Sequence, residues 1–202
     1  MEDASTRRRR DGRTTDTRAR IEAVALELFI AKGFTHTTLQ DIADRLELTK
    51  AALYYHFPSK AALIKSLVRP VIDDIDAFLD EAERVALEPR ALLEGFFDLN
   101  YTHRTVLLAI TSDPSALSVA DAEGWVPRLA SQAQRLLAGP NPGPEQRIRA
   151  LMAVNGLSRA ATLLADIDHD ELRATAVDVA LDTLEAPESR RAQGSHRPRP
   201  NS

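Results

Sequence analysis

Between Thr37 and Lys60 the chain reads TTLQDIADRLELTKAALYYHFPSK, and its run from Lys50 to His56 sets a lysine, two tyrosines and a histidine beside two alanines. A cation, two phenols and an imidazole on one short helix can donate to phosphate oxygens and reach base edges. Small alanines let the backbone come close. That mix suits a helix that enters a groove of DNA. The usual signs of catalysis are missing: there is no cysteine, no glycine-rich phosphate loop, no Gly-x-Ser-x-Gly and no His-Glu-x-x-His. The five histidines (His36, His56, His103, His169 and His196) are scattered, and the acidic run around His169 reads as capping at a helix junction. The expectation is therefore a protein that is not an enzyme, with no cofactor and no metal site.

The elements that must position this helix follow from apolar spacing. Ile21, Val24, Ala25, Leu28 and Phe29 recur at helical intervals, and Gly33 is placed to end that helix. A second helix begins near Thr37 or Thr38. Thr37 with Gln40, or Thr38 with Asp41, would each form a capping box, and the sequence allows both. Leu39, Ile42, Ala43 and Leu46 form its buried face. Thr49 caps the third helix, which Pro58 stops, and Leu53 and Phe57 point into the core. Lys50, Ala51, Tyr54 and Tyr55 are left on the outer faces. Ser59 caps a fourth helix that carries Pro70.

Beyond this the chain is helical throughout, with segments expected at Ala91–Ile110, Leu117–Glu123, Val126–Leu137, Glu145–Ala165 and Asp170–Leu184. Gly139 to Pro144 is a loop, and the short connection Asp166–His169 sets the last two helices antiparallel. Residues 1–16, with Arg7 to Arg10 in a row, and residues 186–202 read as disordered, since neither can bury a core.

The 202 residues carry a formal net charge of −4, but the charge is unevenly spread. Through Lys60 there are 11 Lys+Arg against 9 Asp+Glu; thereafter there are 15 against 21. A mildly basic N-terminal module joined to an acidic body is the natural reading. No apolar run is long enough to span a bilayer, and the arginines near Met1 have no apolar stretch behind them. The expectation is a cytoplasmic protein with no membrane partner.

The stretch FIAKGFTHTTLQDIADRLELTKAALYYHFPSKAAL resembles the TetR family of transcriptional regulators. The likeness rests on Lys-Gly-Phe closing the first helix, Thr-Thr before the second, Leu-Tyr-Tyr-His-Phe on the third and Ser-Lys opening the fourth, and it covers roughly residues 17–77. It implies an all-α fold: an N-terminal three-helix helix-turn-helix domain at 17–77, with the motif at 38–57, and a C-terminal helical domain at 78–185 for effector binding and dimerisation. One departure stands out. Glu47 occupies the turn where such motifs carry glycine, and a left-handed backbone there costs a residue with a side chain about 1–2 kcal/mol.

Residue chemistry and the resemblance together suggest roles. Lys60, His56 and Thr38 would meet phosphates, and Tyr54 and Tyr55 would reach phosphate or thymine methyls. Gln40, Thr49 and Lys50 would meet base edges, with Ala51 and Ala52 against methyl groups. A twofold homodimer on double-stranded DNA with a near-palindromic operator is expected. Its pairing surface would lie on the last two helices, through Leu151, Val154, Ser158, Leu172, Ala176, Val179 and Thr183. An effector pocket for an unknown small organic molecule is expected among Phe96, Phe97, Asn100, Tyr101, His103, Arg104, Trp125, Met152 and Asn155, with Arg104 suggesting an anionic ligand. The leading reading is a ligand-responsive dimeric repressor. An activator or ligand-independent regulator of the same fold stands beside it, as does a helical protein-interaction module that binds no DNA.

Overall fold

The computed structural model describes the backbone of residues 3–121 and 123–185 and the side chains of residues 16–121 and 123–185. Ten helices occur among the described residues, and no strand. They are α1 (Asp3–Lys32), α2 (Leu39–Arg45), α3 (Lys50–His56), α4 (Lys60–Arg84), α5 (Pro89–Thr102), α6 (Arg104–Thr111), α7 (Pro114–Ala120), α8 (Trp125–Ala138), α9 (Pro144–Leu163) and α10 (His169–Leu184). Helices α1 to α3 and the start of α4 form a small N-terminal unit, and α5, α8, α9 and α10 bundle behind it.

Local chemistry sets most of the boundaries. Gly33, at φ 84°, takes the left-handed turn that ends α1, and its N–H donates to the Phe29 carbonyl at 3.0 Å. Of the two capping boxes the sequence allows, the fold uses Thr38 with Asp41. Thr37 is fully buried instead and donates its hydroxyl to the Gly33 carbonyl at 2.8 Å. Thr49 and Ser59 cap α3 and α4 through their side-chain oxygens. Helix α4 runs on through Pro70, which faces solvent and gives up the bond to the Ser66 carbonyl.

The N-terminal arm and the segment Ala91–Ile110 depart from the sequence reading. The N-terminal arm expected to be disordered through residue 16 is helical from Asp3, as an outward extension of α1. The run contains no proline, and arginine is among the better helix formers. The continuous helix expected from Ala91 to Ile110 is two helices that meet at His103, whose Nε2 pairs with Asp74 at 2.8 Å. The tail expected at 186–202 lies outside the described residues.

The turn between α2 and α3 carries the strain foreseen at Glu47, which sits at φ 55°. The Glu47 N–H donates to Asp44 at 3.2 Å and the Leu48 N–H to Ala43 at 2.9 Å. These two bonds form a Schellman close. They satisfy two carbonyls at the end of a two-turn helix, which offsets the left-handed cost. One continuous apolar cluster fills both units, from Ile21, Phe29, Leu53 and Phe57 to Phe97, Ile110 and Leu157.

Candidate nucleic-acid interface and regulatory cavity

Helix α3 buries Leu53 and, just past its end, Phe57, so that Lys50, Ala51, Tyr54 and Tyr55 form one outward strip. Tyr55 is 79% exposed, which no core residue would be, and Tyr54 is 43% exposed. The Lys50 ammonium stands 5.6 Å from the Tyr54 ring, and Tyr55 meets the His56 imidazole edge-on. Ala52 and His56 are half-buried at the strip's edge. The hydroxyl oxygen of Thr49 accepts from Ala52 N–H at 3.1 Å, which leaves its own proton to give.

On α2, the Gln40 side chain is exposed and donates to Asp44 Oδ1 at 2.6 Å. One amide N–H and the carbonyl stay available, the pair that an adenine edge requires. Thr38 is more committed. Its oxygen accepts from Asp41 N–H at 3.1 Å, and the Asp41 carboxylate accepts from Thr38 N–H at 2.7 Å. That carboxylate is held well below its ordinary range, at about 2, first by the Thr38 N–H and then by Lys32, 3.0 Å away. The start of α2 thus already holds an anion of its own, so only the hydroxyl proton of Thr38 is left for a phosphate.

Lys60 corrects the sequence reading more sharply. Its ammonium turns inward and donates to the carbonyls of Phe34 at 2.6 Å and Thr37 at 2.8 Å, lying 4.2 Å from the Phe34 ring. Burial lowers its pKa from the ordinary lysine value. Lys60 fastens the α1–α2 loop and is not poised for phosphate. Arg18, which the sequence reading passed over, fastens α1 to the reader. It donates to Ser66 Oγ at 2.7 Å and to the His56 carbonyl at 3.5 Å, and it stacks 4.3 Å over Phe57. Only a contact across 38 or more residues reveals that role, and no local signal carries it.

A cavity of about 200 Å³ lies among α5, α6, α7, α8 and α9, lined in part by Phe96, Asn100, Trp125 and Asn155 as expected. The other five expected residues do not line it. Phe97 is fully buried and stacks on Tyr101 at 5.9 Å; Tyr101 meets His169 edge-on at 4.6 Å and carries Arg104 at 4.3 Å. This is a pillar that ties α5 to α6 and α10. His103 is bound to Asp74, and Met152 is 62% exposed on the outside of α9. The residues missed include Ile110, Thr111 and Leu117 on α6 and α7, and Ser158 and Arg159 on α9.

Between α6 and α7, Asp113 joins the two units. Its carboxylate accepts from Thr35 N–H in the α1–α2 loop at 2.9 Å and from Ser115 N–H at the start of α7 at 2.8 Å. These bonds, that to Thr35 first, hold the carboxyl at about 2.

The expected pairing surface also divides. Leu151 and Val179 are exposed, at 45% and 59%, alongside Ile148 and Met152. A Cβ placed on Gly156 would meet nothing within 4 Å. Val154 and Leu172 are buried within the subunit, and Ser158 donates to Asn100 Oδ1 at 2.7 Å, so these three belong to its interior. Ala176 and Thr183 are half-buried. The helix period puts Val154 and Ser158 on the cavity side of α9 and Met152 and Gly156 on the other.

Residues 21–67 match the family model described as bacterial regulatory proteins, tetR family. The HTH-type transcriptional repressor KstR2 of Rhodococcus jostii is 31% identical over 96 residues, covering 48% of this chain and 44% of its own. The HTH-type transcriptional regulator TtgR of Pseudomonas putida is 32% identical over 104 residues, covering 48% and 50%. The matches thus span about half the length of these curated relatives. Among solved structures, a transcriptional regulator from Aquifex aeolicus superposes with a TM-score of 0.64 at 21% identity, covering 81% of this chain and 96% of that one. A ketosteroid transcriptional regulator, KstR2 of Mycobacterium tuberculosis, gives 0.62 at 15%, covering 83% and 93%. At such identities these structures speak for the fold.

Proposed function

The chain carries the N-terminal domain of the TetR family on a body with that family's all-helical fold, and from that premise we propose that it is a sequence-specific DNA-binding regulator, a homodimeric repressor released by a small organic effector. The observation that carries the reading is the outward strip of α3. Two large phenols and a lysine are exposed on a short helix anchored from behind by the buried Leu53 and Phe57. Exposed tyrosine on this scale has no use in folding. On DNA, Lys50 suits a guanine edge or phosphate, Tyr54 and Tyr55 suit phosphate or thymine methyls, and Gln40, oriented by Asp44, suits adenine.

One such helix reads about one turn of groove, so a second copy is needed for useful specificity. The exposed side of α9, with Ile148, Met152 and Gly156, and Val179 on α10 support pairing through these two helices. Asp113 supports a ligand response. It sits between the cavity-lining residues Thr111 and Leu117 and grips the loop that leads into α2. A ligand that favours one placement of α6 and α7 thereby biases the placement of the reader.

Selection from a random DNA pool by the purified protein tests this reading. Enrichment of an inverted repeat with half-sites about one helical turn apart supports a twofold DNA reader. A pool that fails to converge overturns it.

A further inference from the structure

Resting on the ligand-responsive reading above, we propose that the effector is a small monocarboxylate, of one ring or a short chain, whose carboxylate binds Arg159 while its apolar part fills the cavity among α5 to α9. Size sets the first limit. A dry apolar cavity of about 150 Å³ takes a single benzene ring, whereas sites for drug-sized ligands run about 300–1,000 Å³. At about 200 Å³ this cavity holds little more than one ring. It does not enclose a fused polycycle.

Charge sets the second limit. Arg159 is the sole charged residue in the lining, and it forms no ion pair among the described residues. Its one hydrogen bond among the described residues is a long one of 3.4 Å to Thr111 Oγ1, an atom that already donates to the Leu107 carbonyl. The other polar groups of the lining are neutral and partly engaged. Asn100 donates to Phe96 and accepts from Ser158, and Asn155 donates to Leu151. A ligand therefore finds its one charged anchor at Arg159, whose planar fork matches a carboxylate. The larger open groove of about 780 Å³ beside α4 lacks such an anchor. Its cations are already engaged: Arg69 with Asp73, Lys65 with Glu123, and Arg18 with Ser66.

Trp125 makes the test direct. It is the only tryptophan of the chain and it lines the cavity, so its fluorescence reports occupancy. The full-length protein is titrated with benzoate and hexanoate, with benzamide and hexanamide as neutral isosteres, and with palmitate as an oversized acid. The small acids should give a saturable change at least ~10-fold tighter than their amides, in keeping with a charge-assisted pair. Palmitate should gain nothing over hexanoate. Arg159→Gln should abolish the preference for acid over amide while leaving thermal unfolding unchanged, since Arg159 is exposed. Arg159→Lys should keep part of it.

Equal binding of amides and acids, preference for palmitate, no saturable binding of either small acid, or a preference that survives Arg159→Gln would each overturn the proposal. So would an Arg159→Gln variant that loses dimerisation in light scattering yet still prefers acids, because Arg159 would then serve pairing. A parallel titration on the selected DNA separates the two layers. Acids that bind the cavity without releasing DNA leave the ligand class standing and remove ligand-controlled repression. Release by a ligand of another class does the reverse.

Discussion

In the proposed reader the candidate residues are exposed; in the body, the residues that look most functional are the ones holding the helices together. Tyr54, Tyr55 and Lys50 are exposed, and their ring contacts among the described residues stay within α3. Phe97, Tyr101, Arg104 and His103 are of equally suggestive types, but they stack and pair with Asp74 and His169 to tie helices to one another. Residue type alone cannot separate these cases, because an aromatic ring serves a core as well as a ligand. Burial and partner do separate them. The body's candidate anchor, Arg159, resembles the reader's residues in this respect: it is exposed and has no ion pair among the described residues.

That contrast breaks most visibly at Tyr54. Replacing it by alanine removes an exposed side chain, so thermal stability should hold while affinity for the selected DNA falls about 10- to 100-fold, the range of one good base or phosphate contact. Tyr101→Ala should show the opposite pattern, a lowered unfolding temperature. Calorimetry and anisotropy on the same two variants would decide it; swapped outcomes would erase the distinction. Lys60→Met comes next. It unpairs the Phe34 and Thr37 carbonyls from an ammonium, worth about 2 kcal/mol, or roughly 4–8 °C in a chain of this size. A Lys60→Met protein that melts normally and merely binds DNA more weakly would restore the phosphate role that the geometry removes.

Smaller effects sharpen the picture. Gly156→Leu should leave the subunit folded, since the site opens to empty space, but shift the protein to monomer in light scattering if α9 pairs as proposed. Glu47→Gly relieves a left-handed residue and should stabilise by about 1 kcal/mol without altering DNA preference. The acid limb of stability tests the junction between the regions. Asp41 and Asp113 titrate near 2, below the ordinary value of 3.8, so the stabilisation they supply is complete above about pH 4. It drains away as the pH falls toward 2. Asp113→Asn, which cannot ionise, should flatten that slope in acid-unfolding curves.

How far the sequence reaches follows the same division. The reader was legible because caps and apolar periods act within four residues: Gly33 ends α1, Thr49 and Ser59 cap their helices, and Leu53 with Phe57 fixes the face that α3 turns outward. The strain at Glu47 was legible through the family resemblance, which puts glycine in that turn. Lys60 was not, because its carbonyl partners lie 23 and 26 residues away, and Asp113 grips a backbone amide 78 residues distant. The cavity depends on the rotation of each helix. On α9 that rotation turns Val154 inward and Met152 outward, a choice that two apolar residues in one stripe do not announce.

The decisive measurement is anisotropy of a labelled DNA duplex from the selected pool, titrated with the native chain and with the Lys50→Ala, Tyr54→Ala double variant across a salt series. The native chain should bind it saturably and far above scrambled DNA. The double variant, folded to the same melting temperature, should fall to the scrambled level with a salt slope shallower by about one for the lost lysine contact. Undiminished specific binding by the double variant would mean that α3 is not the reader.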